Sequence, residues 1–409
     1  MYISCMKNNK LQLIVLYSST LIGTLLGVIV SVINTNALSP NEYGDVRYIQ
    51  NVISFISSIL LLGYFTSGSR LLAISNNEAD SRKIRGIMCV ILCLTIFILS
   101  ISLLVLGFSC ENKNISRLFI ISVPVCGNVL MLNYINTTAQ GDNHILRISF
   151  ARFIPQLLYC LTAIHVFHKY DATSESILLL YNGSACLVLF IIILSTRPSY
   201  NNLRQSLLTL NKENKNYGFN VYLGALMGVS TSYIAGITLG QFCENNTNVG
   251  YYTLALTMTS PLMTLPGIIG TTFFKQFAHQ NKIPNKVFKF SILITVASCV
   301  VFIIAIKWIV VLLYNDSYYP VAKYASFLAV GMCIHGLGDM INRFLGAHGQ
   351  GKQIRNSAVN CGLITIIGSI VFVYFWNING AIITKVLGST VYFISLLRYY
   401  FIFLKTHYK

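Results

Sequence analysis

Apolar residues in this chain gather into runs of roughly 20, separated by short polar breaks. A helix rising about 1.5 Å per residue needs about 20 apolar residues to cross the roughly 30 Å hydrocarbon layer of a bilayer. About twelve such runs can be placed, near 12–34, 48–72, 86–108, 116–139, 146–167, 176–196, 218–242, 250–274, 287–313, 320–345, 356–376 and 380–404. The third, IMCVILCLTIFILSISLLVLGF (87–108), has no ionisable side chain other than thiols, and the sixth, ILLLYNGSACLVLFIIIL (177–194), is nearly as clear. The pattern predicts an all-α integral membrane protein of about twelve crossings. The first run is longer than the apolar core of a secretory signal and lacks a small-residue cleavage site, so it is expected to remain as the first spanning helix.

Composition agrees: 55% of residues are hydrophobic and only 10% charged, with a mean hydropathy of +0.65. A soluble chain has about a quarter charged residues. Eleven cysteines would suggest a disulfide framework in a small secreted protein, but nearly all lie inside apolar runs, where they read as small packing residues. Cys110 and Cys243 fall at the ends of their helices and leave a bridge open there.

The net charge of +17 does not point to nucleic acid, because the bases follow the loops in alternation. Arg82, Lys83 and Arg85 follow the second run, Arg147 the fourth, and Arg197, Arg204, Lys212 and Lys215 the sixth. Lys275, Lys282, Lys286 and Lys289 follow the eighth, Lys352 and Arg355 the tenth, while Lys7, Lys10, Lys405 and Lys409 mark the two ends. The intervening loops are poor in bases: ENNTN (244–248), YNDSYY (314–319) and WNIN (376–379) have none. The positive-inside bias therefore places both termini in the cytoplasm of a multi-pass membrane protein. No loop is long enough for a soluble catalytic domain, and an enzyme is not expected.

An internal repeat overlies this pattern. NEYGDVRYIQ (41–50) has a degraded echo in NVGYYTLALT (248–257), and setting Gly44 on Gly250 gives an offset of 206 that also lays the first run on the seventh. AQGDN (139–143) and GQGKQ (349–353) agree, at an offset near 210. Six helices per copy keep both copies in one orientation, so the expected architecture is two six-helix bundles related by a pseudo-two-fold along the membrane normal. The boundaries predicted are an N-terminal bundle over 1–196, a cytoplasmic linker over 197–216 and a C-terminal bundle over 217–409. NEYGDVRYIQ reads as an outward loop entering the second helix, with Asp45 and Arg47 on one side of a cavity mouth and Tyr251 and Tyr252 on the other.

Three stretches resemble a known family: ALSPNEYGDVRYIQNVISFISSILLLGYFTSGSRLLA (37–73), YGFNVYLGALMGVSTSYIAGITLGQF (217–242) and VGYYTLALTMTSPLMTLPGIIGTTFFKQFA (249–278). With GQGK (349–352) and NINGAIIT (377–384), they are similar to the polysaccharide transporters of the MATE/MOP flippase superfamily, especially the Wzx-type O-antigen flippases. The resemblance implies translocation of undecaprenyl-pyrophosphate-linked O-antigen, capsule or exopolysaccharide repeat units by alternating access. It implies partnership with membrane lipids and with the polymerase and chain-length machinery of the same pathway, with no nucleic acid and no cofactor.

A cavity that shelters sugar and pyrophosphate needs polar and cationic side chains inside the membrane. The candidates are Arg47, Arg70, Arg152, Lys307, Asp339, Arg343 and Lys385. The long bases either line the cavity or reach the interface by snorkelling. Asp339 is too short to snorkel; it either pairs with Arg343 one turn on or forms a cation or proton coupling site. Asn34, Asn36, Ser230, Thr231 and Ser232 are further candidate sugar contacts or interhelical bridges. Pro124, Pro155, Pro261 and Pro266 mark bends.

Other readings are weaker. GAHGQGK (346–352) lacks the P-loop spacing, and no HExxH occurs, so neither nucleotide hydrolysis nor a metal site is indicated. A cation-coupled multidrug antiporter of the same superfamily would favour acids in the first or seventh helix, which are missing. A membrane O-antigen polymerase or glycosyltransferase would favour long outward loops, and these are short.

Overall fold

The computed structural model describes residue 23 and residues 25–75, 77–142 and 144–407. Lys7, Lys10, Lys409 and most of the first run before residue 25 lie outside the described residues, as do the side chains of Ser230, Thr231 and Lys275. The described chain is helical, without a strand, and helices fall in order at all twelve predicted runs. They are α1 (Leu25–Ala37), α2 (Pro40–Leu60), α3 (Tyr64–Ile74), α4 (Glu78–Ser109), α5 (Lys113–Ser122), α6 (Asn128–Gly141), α7 (Ile145–Phe167) and α8 (Ser174–Ser195). There follow α9 (Leu203–Glu213), α10 (Phe219–Phe242), α11 (Thr247–Thr272), the short α12 (Phe274–Phe277), α13 (Asn285–Leu313), α14 (Pro320–Ala347) and α15 (Gly351–His407).

Among the described residues, eight helices have the length and hydropathy of a membrane crossing, nine when the bent pair α2 and α3 is counted. α1, a shorter apolar helix as described, and α10 lie at the first and seventh predicted runs. α15 covers the eleventh and twelfth: its 57 residues form two helices joined at Asn377, where φ is 48°. Gly380 makes that turn possible, since a Cβ there would collide with the Phe372 carbonyl. The multi-pass membrane architecture is thus as predicted.

Two local readings are corrected. NEYGDVRYIQ is not a loop: it forms the first turns of α2. Ser39 and Glu42 make a capping box, the Ser39 amide and hydroxyl donating to Glu42 Oε2 at 3.0 and 2.7 Å, with Pro40 at the first helical position. Asp45 and Tyr252 are buried rather than lining a mouth. Asn246 Nδ2 donates to Asp45 Oδ1 at 2.8 Å, and the Asn246 amide donates to Asn41 Oδ1 at 3.1 Å.

The second run is broken. α2 and α3 meet at 58°, across Leu62 and Gly63, both in the left-handed region. Breaking a helix frees carbonyls that must find donors inside a membrane. Asn214, in a π-helical turn (Asn214–Gly218) after α9, provides one, donating from Nδ2 to the Leu62 carbonyl at 3.1 Å. Its Oδ1 accepts from the Ser67 hydroxyl at 3.1 Å, and Gly63 and Gly218 pass so closely that a Cβ on Gly218 would lie 2.5 Å from the Gly63 carbonyl oxygen. The stretch read as a plain linker therefore contains an amphipathic helix, α9, seated by the fully buried Leu210.

By internal packing the chain divides into two compact units, one of residues up to 38 with 49–230, the other of residues 39–48 with 231–409. In the first, Val30 of α1 and Tyr159, Cys160 and Ala163 of α7 form a core cluster, and the Phe65 ring of α3 meets Tyr134 of α6 edge-on. The Tyr159 hydroxyl donates to Asn34 Oδ1, so this asparagine bridges helices. In the second, Phe277, Met340, Ile341, Phe344, Leu345, Leu396 and Phe403 close a core between α12, α14 and α15. The two repeat glycines face one another within this unit: a Cβ on Gly250 would lie 2.6 Å from the Pro40 carbonyl and 3.3 Å from Gly44 Cα. The ten described cysteines are all free thiols, Cys110 and Cys243 included.

Candidate functional site

The second unit gathers polar side chains inside its helices. Asp339 sits about two turns inside the C-terminal end of α14, on the same face as His335 and one turn before Asn342 and Arg343. A carboxylate so far from the helix ends needs a donor, and Tyr392 of α15 supplies it, its hydroxyl donating to Asp339 Oδ1 at 3.0 Å. Asn342 Nδ2 donates in turn to the Tyr392 hydroxyl at 2.7 Å, giving a relay from amide to phenol to carboxylate. The His335 ring stacks on Tyr392 with centroids 4.5 Å apart, and its buried Nδ1 has no hydrogen-bond partner among the described residues. Lys385, half-buried on α15, lies within coulombic range of Asp339, His335 and Cys361.

Among the described residues Asp339 and Arg343 form no direct ion pair, although Arg343 lies within coulombic range of the acid, as Lys385 does. Arg343 is exposed and its aliphatic stem lies over Gly270 of α11, where a Cβ would come within 3.1 Å of Arg343 Cγ. A phenol from another helix takes its place because Tyr392 reaches the carboxylate across the α14 and α15 contact, which Gly338 keeps close: a Cβ there would lie 2.9 Å from the Tyr392 ring.

The other candidates are separate. Arg47 is half-buried on α2, its Nε donating to the Tyr43 hydroxyl at 2.9 Å and its guanidinium 5.0 Å from the centre of that ring. Tyr43 itself meets Tyr318 edge-on at 6.1 Å. Arg70, at the far end of α3, is paired with Glu213 of α9 at 2.6 Å and lies 4.7 Å from the centre of the Tyr217 ring. That pair fastens α9 to α3. Arg152 is exposed on α7 and has no ion-pair partner among the described residues. Lys307 is exposed on α13, 5.9 Å from the centre of the Tyr319 ring. Thus Asp339 and Lys385 are brought together, Arg343 lies one turn beyond them, and the remaining bases each stand on a separate helix.

One charged group read only for topology proves structural. Arg85 of α4 and Asp142 at the end of α6 have side chains only 5% and 6% exposed and pair through two contacts, Nε to Oδ2 at 2.9 Å and Nη2 to Oδ1 at 3.1 Å. Arg85 Nη1 also donates to the Thr196 carbonyl at 2.9 Å and to Glu78 Oε1 at 3.0 Å, while Arg147 stands 3.6 Å from Asp142. One guanidinium thereby ties the ends of α4, α6 and α8. Gly141 lets α6 in, since a Cβ there would lie 2.5 Å from the Ser69 carbonyl. At the matching end of α14 the knot is different: His348 ring nitrogens lie 2.9 Å from the Phe344 carbonyl and 3.1 Å from the Gln280 carbonyl.

A family model described as polysaccharide biosynthesis protein matches residues 12–274, more than half of the chain. The chain belongs to this family. No curated protein matches it. Among solved structures, the lipid II flippase MurJ in an inward closed conformation superposes with a TM-score of 0.73 at 15% identity, over 94% of this chain and 87% of that one. An inward-facing multidrug resistance MATE transporter of the MOP superfamily gives 0.68 at 15% identity, over 96% and 98%. The MATE multidrug transporter DinF-BH, solved as a complex, gives 0.66 at 11% identity, over 95% and 93%. The family match bears out the resemblance to polysaccharide biosynthesis proteins, and the chain shares its helical fold with a lipid II flippase and with multidrug transporters of the MOP superfamily.

Proposed function

We propose that this protein is a flippase that moves a polyprenyl-pyrophosphate-linked oligosaccharide, of the undecaprenyl O-antigen or capsule type, across the inner membrane by alternating access. The observation that carries the reading is the pairing of a MurJ-like fold with membership of a polysaccharide biosynthesis family. The basic loops support cytoplasmic termini in this reading. Arg47 and Arg152, with Lys307, are the groups that meet pyrophosphate or sugar, since each is a base carried on a separate membrane helix.

Asp339 is the coupling group in this reading. Its carboxylate accepts one phenolic hydrogen bond and lies within coulombic range of Arg343 and Lys385, so gain or loss of one proton changes the net charge of the cluster. The two neighbouring bases disfavour a further cation at the same place.

The test is flipping of a fluorescent polyprenyl-pyrophosphate oligosaccharide by the full-length protein in liposomes. Arg47→Ala with Arg152→Ala is expected to impair flipping while the protein still folds, and Asp339→Asn to abolish its response to an imposed pH gradient. Unchanged flipping in the double variant removes the cavity assignment. Export of cationic dyes without lipid flipping would instead favour the multidrug reading, which the DinF-BH likeness in fold keeps in view.

A further inference from the structure

The end of α15 carries an exposed surface outside the proposed transport site, with Leu397 alone of its apolar residues packed against the core. Arg398 and Lys405 are both exposed and stand seven residues apart, hence on one face of the helix with about 10 Å between them along the axis. Between and beside them Ile394, Leu397, Phe401 and Ile402 line an open groove of about 390 Å³. Ile394, Phe401 and Ile402 are each about half exposed, so the groove is apolar and open to the bilayer side. No Asp or Glu occurs anywhere in the chain after Asp339, and neither cation has an ion-pair partner among the described residues.

A single base at a helix end is explained by the interface alone. Two on one face, two turns apart and framing an apolar slot, make a different object: a slot for a chain of methylenes with cationic contacts for a phosphate. The loop charges put this end of α15 in the cytoplasmic leaflet, where anionic lipids raise the local negative potential. We infer that the groove formed by Ile394, Leu397, Phe401 and Ile402 with Arg398 and Lys405 is a binding site for an anionic glycerophospholipid of the inner leaflet. The acyl chain lies along the apolar residues, and the headgroup phosphate is held by the guanidinium and the ammonium, the former in fork geometry. The occupant is a resident lipid rather than the transported one, because the site belongs to one helix end and one leaflet, and a passenger has to leave both. The inference goes beyond the flippase reading and stands without it.

The experiment uses the full-length protein in liposomes of phosphatidylethanolamine with a small fraction of a photoactivatable phosphatidylglycerol, read by mass spectrometry of the labelled peptides. Labelling is expected to concentrate between Ile394 and Lys405. Arg398→Gln with Lys405→Gln should weaken it by roughly fivefold per cation removed, and Arg398→Lys with Lys405→Arg should keep most of it. Each variant's melting temperature in detergent, unchanged from the parent, shows that labelling reports the site. Labelling spread evenly over all basic helix ends, equal labelling by a photoactivatable phosphatidylcholine, or no loss in the glutamine variant overturns the inference. Displacement of the probe by polyprenyl pyrophosphate but not by unlabelled phosphatidylglycerol overturns it as well, by assigning the groove to substrate.

Discussion

Replacing Arg85 by Met removes the guanidinium that ties three helix ends, and the structure fixes what is left behind. Asp142 stays 6% exposed, having lost two contacts at 2.9 and 3.1 Å, and keeps only Arg147 at 3.6 Å. Stranding one partner of a buried ion pair costs about 3–5 kcal/mol, and the surviving Arg147 puts this case near about 3. Asp142→Leu strands Arg85 instead, with the Thr196 carbonyl and the 62% exposed Glu78 as its remaining partners, and should cost about as much. The double variant strands nothing. Because apolar replacement of a buried pair is often neutral, Arg85→Met with Asp142→Leu should cost about 1 kcal/mol or less, far below the sum of the single changes. Equilibrium unfolding of the full-length protein in mixed detergent micelles, followed by far-ultraviolet circular dichroism, measures all four corners of the cycle. Additive losses in the double variant would refute the argument, since they would mean that the two side chains do not act on one another.

Other outcomes follow from local geometry. Gly250→Val should destabilise the second unit by at least about 1–3 kcal/mol, because its branched side chain meets the Pro40 carbonyl and Gly44 with no room to shift; the same unfolding assay reads it. Ser39→Ala breaks the capping box at the start of α2 and should cost about 0.5–2 kcal/mol, with Ser39→Asp close to neutral. Arg70→Ala should cost no more than about 1 kcal/mol despite its 2.6 Å partner, because its side chain is half exposed, and the loss should shrink further in high salt. A loss that salt leaves unchanged would show that stacking on Tyr217 outweighs the charge.

The order of the membrane helices was legible in the apolar runs because a bilayer leaves the chain few alternatives, and the family resemblance followed from motifs within them. Where the prediction missed, the signal was short and polar. Ser39, Pro40 and Glu42 spell a helix start, yet they sit beside three charges that suggested a loop. The break at Gly63 lies inside an apolar run with no proline, and the donor that satisfies its freed carbonyl, Asn214, is more than 150 residues away. At the site, Asp339 and Lys385 stood out because charge in a membrane helix is conspicuous. Tyr392, one of 24 tyrosines, carried no such mark, and only tertiary packing shows that it rather than Arg343 holds the carboxylate. Arg85 and Asp142 were visible as loop charges, but sequence spacing cannot show that α4 and α6 end side by side.

The support of the α2 and α3 break has a mechanical consequence. Left to itself, a bent helix would be a free hinge, its angle drifting with whatever donor happened to be near. Here the freed Leu62 carbonyl is splinted by Asn214, and Arg70 further along α3 is braced to Glu213 on the residue before it. The stiffness of the elbow is therefore held in the segment that follows α8, and a change in Asn214 should loosen the joint while leaving the helices on either side intact.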